Sequence, residues 1–180
     1  MSTRDRREPG WSPARVSWRE WLGLAAGLLA VGSLFLSWTN LGADHPEVSA
    51  ALAELPDEDV HRSVWRATFF GWLAPLLIAV AGVCVVLFGQ RRALRTAGLP
   101  QLWLVAAAVG AVATVLAWVF VDWQFGTEQR EFLTVSGVEF QAGPGRYLGA
   151  AAVLGSLVAA VLDVRAAVSR GPSRKRAGAQ

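Results

Sequence analysis

The sequence predicts an all-α integral membrane protein, a four-transmembrane-helix bundle with a structured extracytoplasmic loop region that includes a short β-hairpin. Three observations predict it. Four long apolar stretches carry no ionisable residue in their middles, Lys and Arg fall on alternate sides of those stretches, and Trp and Tyr cluster at their ends. Residues are 53% hydrophobic and only 17% charged, too apolar for an ordinary soluble domain of this length.

A hydrocarbon core of about 30 Å, crossed at about 1.5 Å per residue, needs roughly 20 apolar residues. The predicted spans are 21–38, 69–88, 102–121 and 147–164, the last bounded by Asp163 and Arg165. Backbone in lipid must satisfy its own hydrogen bonds, and runs without apolar-polar alternation do so as helices, which excludes a β-barrel. The domain organisation is a disordered basic arm (1–17), the transmembrane domain (18–168) and a basic tail (169–180).

The basic arm and span 21–38 together look like a secretory signal, but the apolar run is long for one. Ser37-Trp38-Thr39-Asn40 also offers no small-residue cleavage site, so the segment is expected to stay as a span. Orientation follows the positive-inside rule. Thirteen of the seventeen basic residues lie in the N-terminal arm, the second loop (Arg91, Arg92, Arg95) and the C-terminal end, whereas ten of the fourteen acids lie in the first and third loops. Both termini are therefore expected in the cytoplasm of a multi-pass cell-membrane protein. Trp18, Trp21 and Trp103 should mark inner span ends, and Trp38, Trp65, Trp72, Trp118, Trp123 and Tyr147 outer ones.

The first outer loop is too long for a connector. Pro46 starts a short helix with Val48, Leu52 and Leu55 on one face, and Pro56 stops it. Asp57, Glu58 and Asp59 start a second helix, expected to run through Trp65 into the next span. Pro75 should kink that span near Gly71. In the third loop, Glu131 to Val135, Ser136-Gly137 and Val138 to Gln141 read as a hairpin. Pairing across that turn puts Leu133, Val135, Val138 and Phe140 on one face, the candidate partner-binding surface.

Small residues at four-residue spacing (Gly23 and Gly27; Ala106, Gly110 and Thr114; Ala151, Gly155 and Ala159) mark close helix packing, within the bundle or against another membrane protein or a further copy. Cys84 is the only cysteine, so no disulfide forms within the chain. Charged groups in the membrane are usually functional, and none lies mid-span: Glu20 and Asp163 sit at the inner ends and Asp122 at an outer end. No span holds a histidine for haem. Asp44, His45, Asp57, Asp59 and His61 are the only cluster with metal-ligating chemistry, and their spacing matches no usual zinc motif. No catalytic residue, cofactor or metal is predicted, nor any nucleic-acid role; the basic termini should meet anionic headgroups.

Three segments, Ser33-Leu34-Phe35-Leu36-Ser37-Trp38, Ser63-Val64-Trp65-Arg66-Ala67-Thr68-Phe69-Phe70 and Gly145-Arg146-Tyr147-Leu148-Gly149, resemble those of small tetra-spanning actinobacterial membrane proteins of unassigned function. That resemblance implies a bundle and a membrane location and brings no activity with it. A large first outer loop and a smaller β-containing second one are also similar in outline to claudins, although the claudin cysteine pair and Trp-Gly-Leu-Trp motif are missing. The expected function is a non-enzymatic accessory, assembly or interaction subunit of a cell-envelope complex. The alternative is a small transporter or lipid-handling protein using Pro75, Ser33, Ser37 and Thr114, and the third reading is an extracytoplasmic metal-dependent enzyme.

Overall fold

The computed structural model describes residues 12–66, 69–120 and 125–169. Helix α1 (Trp18–Ser33) leads into strand β1 (Ser37–Ala43), then helices α2 (Pro46–Ala53) and α3 (Asp57–Val60) and strand β2 (His61–Ser63). Next come α4 (Phe69–Phe88), α5 (Arg92–Thr96), α6 (Leu99–Val119), α7 (Thr127–Val135), β3 (Val138–Ala142) and α8 (Pro144–Ser169). Three of these helices, α4, α6 and α8, are long and apolar enough to cross a membrane.

Helix α1 has 16 residues and ends before the expected boundary at Trp38. Its last turn tightens into successive 3-10-type bonds, with Leu34, Phe35 and Leu36 N–H donating to Val31, Gly32 and Ser33 carbonyls. The Trp38 indole then donates to Ser33 O at 2.8 Å, so this carbonyl, already accepting the long 3.4 Å bond from Leu36, is capped from the following strand. At the other end, Ser17 and Glu20 form a reciprocal capping box. Helix α6 starts at Leu99 with Pro100 in its first turn, after Gly98 at a φ of +107°. Helix α8 starts at Pro144 and continues past Arg165 to Ser169.

The four long helices form a ring in which α1 and α6 each pack on both α4 and α8. Small residues set the spacing. A methyl group on Gly82 would lie 2.5 Å from the Gly23 carbonyl oxygen, and one on Gly23 would lie 2.6 Å from the Trp103 ring, so these helices meet with backbone nearly on backbone. Ala26, Ala30, Ala74, Ile78, Ala107, Ala152, Ala159 and Ala160 fill the interior. Trp103, expected at the inner headgroup level, is instead 2% exposed in this core, where its indole donates to Ser156 Oγ at 3.1 Å. That bond satisfies two buried polar groups at once, which lets an indole sit in an alanine-rich interior. Trp38 is likewise buried, whereas Trp18, Trp21, Trp65, Trp118 and Tyr147 are exposed as their end positions suggested. Trp123 and Asp122 lie outside the described residues.

Outside the ring at one end sits a three-stranded antiparallel sheet in the order β2-β1-β3. Two expectations are corrected here. The predicted hairpin does not form: residues 127–135 are helical, and β3 pairs with β1, Val138 opposite Ala43 and Ala142 opposite Thr39. Glu128, Gln129, Arg130 and Leu133 favour helix, and Gly137 at a φ of +71° ends it just beyond Ser136, whose N–H returns to Phe132 O at 2.9 Å. The Ser-Gly pair that reads as a hairpin turn is thus a helix stop. The helix begun by Asp57 also falls short of its expected run through Trp65, because His61–Ser63 leaves it to pair with β1, followed by a 3-10 turn at Val64–Arg66.

At the opposite end, part of the N-terminal arm is ordered. Ser12 N–H donates to Gln90 Oε1 at 3.1 Å, and Gln90 Nε2 returns a bond to Ser12 O at 2.6 Å, holding a 3-10 turn (Pro13–Arg15) against the loop after α4. Residues 1–11 and 170–180 lie outside the described residues.

Candidate functional site

The three segments quoted above come together where the sheet meets the bundle. Trp38, Leu34 and Val64 are buried as one apolar cluster, with Trp72 and Leu76 packed on it. Helix α8 reaches this cluster through glycine: a methyl group on Gly145 would stand 2.6 Å from the Trp38 ring, and one on Gly149 3.1 Å. Side chains at either position would push α8 off the indole.

Arg146 follows directly and is only 7% exposed. One guanidinium nitrogen donates to Thr39 Oγ1 at 2.8 Å, and the group lies 5.5 Å from the Trp118 ring centroid. Its Nε has no hydrogen-bond partner. A buried Arg joined to strand β1 on one side and stacked near α6 on the other ties the sheet to two helices.

Further out, Phe140 of β3 packs on Phe125, ring centroids 4.7 Å apart, and the Arg62 guanidinium lies 4.3 Å from the Phe125 ring. Partial burial lowers the Arg62 pKa from its ordinary value, Asp59 opposing the shift, and the group stays cationic at neutral pH. The predicted partner-binding residues are divided by this arrangement. Val138 is buried in the sheet, Leu133 and Phe140 are half-buried, and Val135 is 89% exposed on α7. Phe132, which the hairpin register left out, is 71% exposed one helical turn before Val135. The exposed apolar pair therefore has a spacing of three, and only a helical reading of 127–135 would have found it.

The His and acid cluster of the first loop is spread rather than convergent. His61 Nδ1 lies 3.1 Å from Asn40 Oδ1 and Nε2 lies 3.6 Å from Asp57. Asp59 is taken by Arg66 at 2.9 Å, with Glu58 on the same guanidinium at 3.3 Å. Among the described residues no three His, Cys, Asp or Glu side chains converge as metal ligands would. Of the three hydroxyls in the transport reading, two turn to their own helices, Ser33 donating to Ala30 O at 2.7 Å and Thr114 to Gly110 O at 2.9 Å, and the third, Ser37, lies in β1.

Buried charge gathers at the end away from the sheet. Asp163 of α8 and Glu20 of α1 are 3% and 2% exposed. Arg95 of α5 holds both Asp163 oxygens, at 2.8 and 3.0 Å, and approaches Glu20 at 3.4 Å, while Arg19 reaches Asp163 at 3.4 Å. Glu20 also accepts from Ser17 N–H at 2.7 Å, and its carboxylate fills the space that a side chain at Gly89 would need. The sequence places these groups at one end of the bundle; the fold makes them a single network joining α1, α5 and α8.

The chain matches no known protein family, no characterised protein and no solved structure. What its two ends do rests on their own chemistry. The network of Arg19, Glu20, Arg95 and Asp163 is saturated with its own ion pairs, as a structural clamp is. The sheet end carries the exposed apolar side chains of Phe132 and Val135 beside the acids of α7.

Proposed function

We propose that the chain is a non-enzymatic, multi-pass cell-membrane protein whose outer platform binds a partner, making it an accessory, assembly or interaction subunit of an envelope complex. In this reading all four long helices span the bilayer. The turn at Leu34–Leu36 lengthens α1 toward the roughly 20 residues a span needs. Both termini are cytoplasmic, because the positive residues concentrate at the end carrying Arg19, Arg91, Arg92 and Arg95.

The observation that carries the partner role is Phe132 and Val135 exposed side by side on α7. Glu128 and Glu131 belong to the same helix, so this surface is mixed acidic and apolar, which suits a protein better than hydrocarbon. The platform beneath is held by the Arg146–Thr39 bond, the Trp38 cluster and the Phe125–Phe140 stack, and α7 joins it through β3. A rigid support of this kind lowers the ordering cost of association.

Purification of the tagged chain from its own host in a gentle detergent, with mass spectrometry of what accompanies it, tests the reading. A stoichiometric companion should be present and should be lost in the Phe132→Glu, Val135→Glu double variant while the bundle keeps its thermal transition. A companion retained by that variant refutes α7 as its contact, and a wild-type chain purifying alone refutes the reading.

A further inference from the structure

Strand β1 is paired unequally on its two sides. Toward β3 the pairing extends to Ala43, but toward β2 it stops at Asn40, where the chain of β2 turns back into α3. In an antiparallel ladder, alternate residues turn their peptide groups to the same neighbour. Gly143 N–H donates to Trp38 O at 3.1 Å, so Trp38, Asn40 and Gly42 address β3, and Leu41 and Ala43 address the other side. Beside that side runs a groove of about 360 Å³ between β1 and α2, with Leu41, Ala43, Leu52 and Val60 in its walls and Asp57 and His61 at its mouth.

We propose that this groove binds an extended, cationic segment of a partner protein, which adds to the β2 side of β1 as a short strand. The proposal rests on the reading of the outer end as a partner-binding platform and names how the partner is held. Strand addition suits the place because the backbone of β1 supplies the hydrogen bonds and the apolar walls receive alternate side chains. About 10 Å of edge, three residues long, is enough to register a short segment and too little to drive strand aggregation.

Charge selects the occupant. Asp44, Glu47 and Glu54 lie exposed along α2 and its flanks, and no cation among the described residues pairs with them. The Asp57 side chain is 92% exposed, and among the described residues it pairs only with His61, at 3.6 Å. Arg66 is committed to Glu58 and Asp59, and Arg62 to the Phe125 ring. An acyl chain would meet this charged mouth unfavourably, and a basic strand would meet it favourably.

The test uses the full chain in nanodiscs of phosphatidylethanolamine and phosphatidylglycerol, titrated with dye-labelled acetyl-Lys-Val-Thr-Val-Lys-amide and followed by anisotropy. Binding should be saturable, and it should weaken about tenfold on Ser49→Trp, which fills the groove from an exposed position of α2, and on Asp57→Lys. N-methylation along the peptide should abolish binding at one set of alternate residues and spare the other, a signature that only strand pairing gives. Deuterium exchange at Ala43 should slow in the complex. No saturable binding, equal binding by Ser49→Trp, loss of no N-methyl phase, or displacement by dodecyl detergent at its monomer concentration overturns the proposal. A native companion kept by Ser49→Trp but lost in the Phe132→Glu, Val135→Glu variant overturns the groove and leaves the platform standing. A companion lost only on Ser49→Trp supports the groove and moves the platform's contact away from α7.

Discussion

Replacing Arg95 by Met keeps most of the side chain's length and removes its charge, leaving Asp163 and Glu20 buried with Arg19 alone, 3.4 Å from Asp163. Breaking a buried ion pair by deleting one partner costs about 3–5 kcal/mol. Arg95 is partly exposed, and Arg19 keeps some of the compensation, so the lower end applies, about 3 kcal/mol. For a chain of this length, 1 kcal/mol moves the midpoint by about 2–4 °C, giving a fall of about 6–12 °C. Thermal unfolding in mild detergent, followed by far-ultraviolet circular dichroism of the helices, reads it directly. Adding Asp163→Asn to the Arg95→Met variant should recover at least half of the loss, since the orphaned charge goes with it, and Arg95→Lys should fall between the two. A fall smaller than about 2 °C, or no recovery on adding Asp163→Asn, would refute the view that this network clamps its end of the bundle.

Trp38→Phe keeps the ring in its cluster but removes the donor to Ser33 O, and should cost about 1–2 kcal/mol in the same unfolding assay, whereas Trp38→Ala should cost about 3–5 kcal/mol. Gly82→Ile places a branched side chain against the Gly23 carbonyl and should destabilise the α1–α4 contact by more than about 3 kcal/mol; Gly32→Ala, where a methyl group meets nothing within 4 Å, should be neutral or slightly stabilising. In a Cys84→Ala background, a cysteine at Ser136 should react with a membrane-impermeant maleimide in intact cells and one at Ser173 only after permeabilisation, and the reverse pattern would invert the proposed orientation.

The long helices were legible because hydropathy over twenty residues averages out local detail, and α4 matches its expected bounds at both ends. Helix ends were less legible. Where α1 stops is decided by Trp38 folding back onto Ser33 O and by glycines of α8 about a hundred residues later, and no local pattern encodes either. The outer loop region misled for a sharper reason. Ser136-Gly137 serves equally as a two-residue hairpin turn and as a helix terminator, since both need a left-handed glycine, and the choice depends on whether β3 finds a better partner than its own neighbour. It does, in β1. Of the expected surface, only Val135 emerges exposed as the hairpin face required, and its neighbour there is Phe132. Charge placement foresaw that Glu20 and Asp163 lie at one end of the bundle, but that Arg95 joins both depends on how α5 folds against it.

Pairing β1 with β3 also sets an order of events during synthesis. About 95 residues separate Ala43 from Val138, and at roughly 5–20 residues per second the ribosome needs about 5–20 seconds to deliver the second strand after the first. Throughout that interval β1 lacks its longer partner. The chain passes a checkpoint when β3 arrives, because the same short segment brings Gly145 and Gly149 onto Trp38 and Arg146 to Thr39. A chain stalled or truncated before β3 would leave an open strand and an uncovered indole, so this last-formed sheet doubles as the molecule's own certificate of completion.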